Sequence, residues 1–303
     1  MKIYLSLKIK LKSFLRKIHI FLNTIYDYFT SKIVQCSVGD LLLIRDSIFH
    51  NQFLTASRVC DIKRYEVTNI PEFYFQTEIS YAIYGKKNYN KDYHDINFVN
   101  LIKSYKNEGV LNDSFLTVDK ELRLMDGNHR CALHFLLGIN EVRVKVVKRK
   151  SHYKYGIDGF LFLPITNNQI TMVMSEYYNI QKALIDRGDC FCFFAKEGKI
   201  NVLISNLVDI KKTIKFKINK NIIINDNGKE KEFKPGSYIL ILFSLKAPNY
   251  KVLDNTLISK RILDIEQILN YRYSLQDTDD YNFYISKSCL QGLKAYEVLK
   301  SYF

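Results

Sequence analysis

The sequence predicts a mixed α/β fold of the α+β kind. Apolar residues recur at helical spacing in some stretches and alternate with polar residues in others. The two patterns follow each other closely around LRLMDGNHRCALHFLLG (122–138), which reads as strand, tight turn and helix. Composition agrees with a globular chain: of 303 residues 47% are hydrophobic and 25% charged, with 22 Tyr and 20 Phe. Only 12 Gly and 4 Pro exclude collagen-like, mucin-like and mostly disordered chains. That much apolar material fills the cores of at most two modest domains.

Taken in order, residues 1–35 form a basic amphipathic segment. Lys2, Lys8, Lys10, Lys12, Arg16, Lys17 and Lys32 face the single acid Asp27, so this stretch supplies nearly half of the net charge of +14. Phe14, Ile18, Phe21, Leu22, Ile25 and Phe29 recur at helical spacing, but lysines interrupt any apolar run long enough for a signal peptide or a membrane span. Two readings stand: a helix resting on an anionic inner leaflet, or one packed on the body of the protein. The basic balance also suits nucleic acid, and a Lys-, Ile- and Asn-rich composition follows equally from an AT-rich genome.

Residues 39–67 read as helical, with Leu42, Ile48, Phe49, Phe53 and Val59 for the core. Arg45, Asp46, Asn51, Gln52 and Arg58 form a polar set that suits a pocket lining but is expected on a solvated helix face. Residues 68–96 read as a loop-rich aromatic stretch, whose Tyr74, Tyr81, Tyr84, Tyr89 and Tyr93 suit one wall of a binding site. His94 and Asp95 are expected in solvent. From 97 a helix presents Phe98, Leu101, Ile102 and Tyr105 and ends at Gly109. Strands at 114–119 and 122–125, a helix over 131–138 closed by Gly138 and a strand at 140–149 follow, with Lys148-Arg149-Lys150 as a solvated end. Beyond a boundary near 160, CFCFF, 214–225 and 238–245 read as strands, Asn227-Gly228 as a hairpin turn, and 256–272 and 288–302 as helices. The six cysteines show no C-x-x-C spacing and fit reduced, cytoplasmic thiols, with Cys190 and Cys192 as small core residues.

The chemistry concentrates in Asp126-Gly127-Asn128-His129-Arg130. Gly127 lets the backbone turn tightly and leaves room for a ligand; the first amides of the following helix then point at whatever sits above the turn. Such an N-terminus favours an anion, and His129 and Arg130 add a tunable donor and a fixed charge. Phosphate is the natural ligand. A plain turn held by Asp126 is the bland alternative. His129, Cys131 and His134 do not share a helix face, which argues against zinc.

With the preceding FVNLIKSYKNEG and the following EVRVKVV, the segment 97–149 resembles the core of the ParB/sulfiredoxin-like superfamily. The resemblance implies a nucleotide-binding domain over 36–160, followed by a C-terminal α/β domain over 161–303. Sulfiredoxins carry a cysteine where Asn128 stands, so their chemistry is not expected here. The strand-rich segment 200–245 does not resemble the helix-turn-helix of chromosome-partitioning ParB proteins. The turn is most similar to the DG-x-HR motif of free serine kinases, which implies an ATP- or other nucleotide-dependent phosphotransferase. HYKYGIDGF (152–160) and SKRILDIEQILNYRYS (259–274) are similar to ParB-like proteins encoded among bacterial surface-polysaccharide genes, which implies a sugar or glycan hydroxyl as acceptor.

On that resemblance Gly127, Asn128, His129 and Arg130 hold the nucleotide phosphates, Asp126 holds Mg²⁺ and His129 contacts the transferred phosphoryl group. An upstream carboxylate orients the acceptor; among Glu66, Glu72 and Glu78, Glu78 is the choice. Loss of Arg130 is then expected to abolish nucleotide binding. A ParB-like nucleotide-binding regulatory module and a nuclease or DNA-binding protein are the alternatives. The expected location is the cytoplasm, with peripheral contact at the inner membrane face through residues 1–35.

Overall fold

The computed structural model describes residues 26–27, 29–43, 50–84, 89–109, 115–148, 166–198, 204, 207–226, 229–245, 249–253, 255–274 and 282–303. The amphipathic pattern before residue 26 and the stretch 152–160 lie outside them. Among the described residues no helix is long and apolar enough to cross a membrane.

The protein is a mixed α/β structure. Strand β1 (Lys32–Ser37) is followed at once by α1 (Val38–Leu42). Ser37 starts that helix by accepting from the Asp40 amide while the Asp40 carboxylate reaches back to the Ser37 amide, a reciprocal capping pair. Helices α2 (His50–Thr68), α3 (Tyr74–Tyr84) and α4 (Lys91–Glu108) come next. Asn90 caps the start of α4, and Gly109, at φ 74°, ends it as the pattern predicts. The unit β2 (Leu116–Asp119), β3 (Leu124–Asp126), α5 (Asn128–Leu136) and β4 (Glu141–Val147) follows the expected order, with Gly138 at φ 67° behind the helix. The buried Asp119 carboxylate closes the β2–β3 turn by accepting from the Glu121 and Arg123 amides and from Arg123 Nε.

Four strands make the first sheet, in the order β1-β4-β2-β3. β4 runs parallel to β2 and antiparallel to β1. Two corrections arise here. Residues 32–37 are a strand rather than the end of an amphipathic segment, and the aromatic stretch 68–96 holds α3 and the start of α4. Of the expected core, Leu42, Phe53 and Val59 are buried; Ile48 and Phe49 lie outside the described residues. Gln52 and Arg58 are buried at 3% and 6% exposure rather than solvated, and Asp95 is buried at 4%.

The remainder comprises α6 (Asn167–Asp186), β5 (Phe191–Lys196), β6 (Asp209–Ile218), β7 (Ile222–Asp226), β8 (Lys229–Phe233), β9 (Gly236–Ser244), β10 (Tyr250–Leu253), β11 (Thr256–Ser259), α7 (Lys260–Ser274), β12 (Phe283–Ile285) and α8 (Cys289–Leu299). The order β12-β5-β9-β6 forms a second, antiparallel sheet. β7 pairs with β8 as the Asn227-Gly228 signal predicts, although those two residues themselves lie outside the described set. The helix expected from 256 begins only at Lys260, because Thr256–Ser259 pair with β10 instead. Phe194 packs on Phe216, Phe233 and Tyr238 at the centre of this half. Cys190 and Cys192 are buried there, and burial pushes the Cys192 thiol up to about 12.

One carboxylate ties the two halves together. Besides Ser37, Asp40 accepts from the Tyr250 hydroxyl at 2.8 Å and from the amides of Cys289 at 2.8 Å and Leu290 at 3.2 Å. Nearby, the Gly39 amide donates to Asp189 at 2.9 Å. α6 packs along α2, with Tyr177 stacked on Phe53 and Glu176 paired to Lys63 at 2.8 Å.

Candidate functional site

β3 delivers Asp126 to Gly127, which adopts φ 99° and serves as the N-cap of α5. Its φ favours glycine, and a Cβ here would stand 2.6 Å from Leu116 Cδ2 and push that side chain aside. Gly127 offers no side chain to the helix, and the hydrogen bonds of α5 begin with the Cys131 amide on the Gly127 carbonyl. The amides of residues 128–130 therefore precede the first helical bond, with the positive end of the helix dipole behind them.

The turn opens onto a cleft of about 310 Å³. Asp126, Gly127, Asn128 and His129 line one side; Gln76 and Ser80 of α3, with Tyr89 and His94 at the start of α4, line the other; Arg58 of α2 joins them. Asn128 Oδ1 accepts from the buried Thr55 hydroxyl at 3.3 Å, which sets the side chain against α2. Asp126 is 73% exposed at the rim.

Gln76 organises the wall. Its Nε2 donates to the Tyr89 hydroxyl at 3.0 Å, and its Oε1 lies 2.6 Å from His129 Nε2. With the carboxamide in that orientation, His129 Nε2 carries the proton. The His129 ring also stands edge-on to Phe98 at 4.3 Å. Burial holds His129 well below the usual histidine range, and the charges of Arg58, Arg130 and His94 press in the same direction. His129 is thus a neutral group beside the fixed charges of Arg58 and Arg130, and the field of those two guanidinium groups is what an incoming anion meets.

Arg58 is anchored from behind. Its Nη1 lies 3.9 Å from Asp61 Oδ2, and Asp61 also accepts from the amides of Phe75 and Gln76 at 3.1 and 2.8 Å, capping α3 from another helix. Burial raises the Asp61 carboxyl to about 6, against the opposing pull of Arg58 and the two amides.

The residues expected from sequence divide accordingly. Asp126, Gly127, Asn128 and His129 converge on the cleft. Arg130 is not among its lining residues: its Nη1 donates to the Phe115 carbonyl and its Nη2 to Asp126 Oδ2, both at 2.9 Å, so it braces the turn. Glu78 is half-buried on α3 and is not among the lining residues either, which come from Gln76, Ile79 and Ser80. Glu66 and Glu72 pair with Lys106 and Arg64 outside the cleft. Sequence reasoning misses Gln76 and expects Arg58 in solvent, where the structure buries it in the cleft; His94 is exposed as expected and also borders the cleft. The available signal was an arginine set among apolar neighbours of α2, four residues from Leu54 and Ile62.

Among the described residues no three His, Cys, Asp or Glu side chains converge as metal ligands. A divalent cation here would rely on Asp126 together with ligands brought by a phosphate. Compared with protein-family models, curated proteins and solved structures, the chain matches none of them.

Proposed function

We propose that this cleft binds a nucleotide through its phosphates and that the protein is a phosphotransferase acting on a hydroxyl of a small molecule or sugar. The observation that carries the proposal is the convergence of the uncapped α5 N-terminus and the buried Arg58 on one cleft. Backbone amides and a desolvated guanidinium together are a strong phosphate-binding combination. The order of helix ending in Gly109, β2, β3, Gly127 turn, α5 and β4 supports a ParB/sulfiredoxin-like core.

In this reading the phosphates lie on the amides of residues 128–130 and against Arg58. Asp126 would hold Mg²⁺ with further ligands from the phosphates, and the ion would neutralise phosphate charge. His129, neutral and fixed by Gln76, shapes the turn. Phosphoryl transfer asks mostly for positioning and charge stabilisation, which this arrangement is suited to provide. Cytoplasmic placement, a peripheral membrane contact through residues 1–35 and a glycan acceptor belong to the same proposal.

A second reading, nucleotide binding that regulates without turnover, is favoured by one feature. Among the described residues lining the cleft the only carboxylate is Asp126, and it is bonded to Arg130. The test begins with Asn128→Asp. It preserves the acceptor for Thr55 and favours the helix start, yet places a negative charge where phosphate would bind. Expected in calorimetry with ATP and Mg²⁺ is at least a tenfold loss of affinity, about 1.4 kcal/mol, with unchanged or higher melting temperature. Unchanged affinity removes the phosphate site. Phosphorus NMR of the wild type with sugars and serine then separates turnover from binding alone.

A further inference from the structure

We infer that His94, backed by Tyr89, is the platform on which the base of the nucleotide stacks; the inference rests on the nucleotide reading above. The His94 ring lies parallel to Tyr89, with centroids 4.4 Å apart and an angle of 3° between the planes. Tyr89 is buried, and its hydroxyl is held by Gln76 at 3.0 Å. An exposed histidine in the first turn of a helix ordinarily samples several rotamers. Here a fixed aromatic surface sets the plane of the ring, and Tyr93 flanks it edge-on at 5.4 Å. His94 is exposed and borders the same cleft as the Gly127 turn.

Two parts of the cleft lining are joined through one side chain. Gln76 holds Tyr89 with its nitrogen and faces His129 with its oxygen, so the aromatic pair and the Gly127 turn are fixed relative to each other. A nucleotide has matching parts: a planar base at one end and anionic oxygens at the other. Stacking of a base on an aromatic side chain tolerates any base, because each has a π face. His94 therefore contributes affinity for nucleotides over inorganic polyphosphates, with little choice among bases.

The test compares ATP, CTP and tripolyphosphate, each with Mg²⁺, on the full chain and on His94→Ala and His94→Phe. His94→Ala is expected to weaken both nucleotides about tenfold and to leave tripolyphosphate unchanged, while His94→Phe keeps nucleotide affinity within about twofold of wild type. The sequence has no tryptophan, so His94→Trp introduces a single reporter at the platform. Its fluorescence is expected to be quenched by ATP and CTP and not by tripolyphosphate. Equal weakening of all three ligands by His94→Ala would make His94 a general electrostatic contributor and overturn the inference, as would unchanged nucleotide affinity. If the wild type binds tripolyphosphate but gains nothing from a base, this inference alone falls. If it binds none of the three, the nucleotide reading falls with it.

Discussion

The Gln76 carboxamide oxygen stands 2.6 Å from His129 Nε2, and this contact couples α3 to the Gly127 turn. Because the nitrogen of the same amide is engaged by Tyr89, Gln76 has one orientation that serves both neighbours. Replacing it by a residue of similar size but no polar atoms leaves the His129 ring N–H without its partner and the buried Tyr89 hydroxyl with Ser80 alone. Gln76→Met is expected to cost about 2 kcal/mol in urea denaturation. A loss below about 0.5 kcal/mol would show that water replaces both bonds.

Gly127 and Gly109 make a matched pair. Both have positive φ, but a Cβ at Gly109 meets nothing within 4 Å, whereas at Gly127 it meets Leu116. Gly109→Ala is expected to cost about 1 kcal/mol, the conformational penalty alone. Gly127→Ala should cost about 3 kcal/mol, because strain and the steric conflict with β2 add. Thermal melts of the two variants side by side check the difference; equal losses would mean that Leu116 yields freely.

Acid stability carries a signature of His134. Burial first, and then the Arg130 charge, lower its pKa from 6.5 to about 4. The unfolded chain takes up the proton near 6.5 and the folded chain resists until about 4. The contribution is therefore complete above pH 6.5 and is lost as pH falls toward 4, by about 3 kcal/mol in all. Asp61, raised from 3.8 to about 6, works in the opposite sense: its contribution is present below 3.8 and lost as pH rises through 6. His134→Gln is expected to flatten the fall in unfolding free energy between pH 6.5 and 4. An unchanged slope would place the sensitivity elsewhere.

Asp40→Asn tests the junction between the halves. An amide cannot present two acceptor oxygens to donors from Ser37, Tyr250, Cys289 and Leu290, so one buried N–H must face another. The expected cost is about 3 kcal/mol or more, read as a lower urea midpoint. A cost under about 1 kcal/mol would mean that the two halves are held mainly by apolar packing.

How much of this is legible in the sequence depends on whether the cause is local. Gly109, Gly127 and Gly138 announce their turns because glycine is what those dihedrals select, and the β2-β3-α5-β4 order follows. α3 is hidden because its aromatic and β-branched residues are indifferent helix formers and its N-terminal amides are capped by Asp61, thirteen residues before Tyr74. β1 is hidden because its partner β4 lies more than a hundred residues downstream. Arg58 reads like any solvated arginine; only the packing of α2 against α5 and α6 turns it inward. Within the site, the turn and the aromatic wall residue Tyr89 can be read from the chain, while the places of Arg58, Gln76 and His94 in the cleft require the fold.

Asp40 also imposes an order of events on biosynthesis. Two of its donors are the amides 249 and 250 residues downstream. At ordinary translation speeds those residues emerge roughly 10 to 50 s after Asp40 itself. Throughout that interval the nascent first half carries α1, with its apolar Leu41 and Leu42, beside an acceptor whose distant donors do not yet exist. Completion of this region is thus a late, long-range event, because α8 must be made before its amides can reach Asp40.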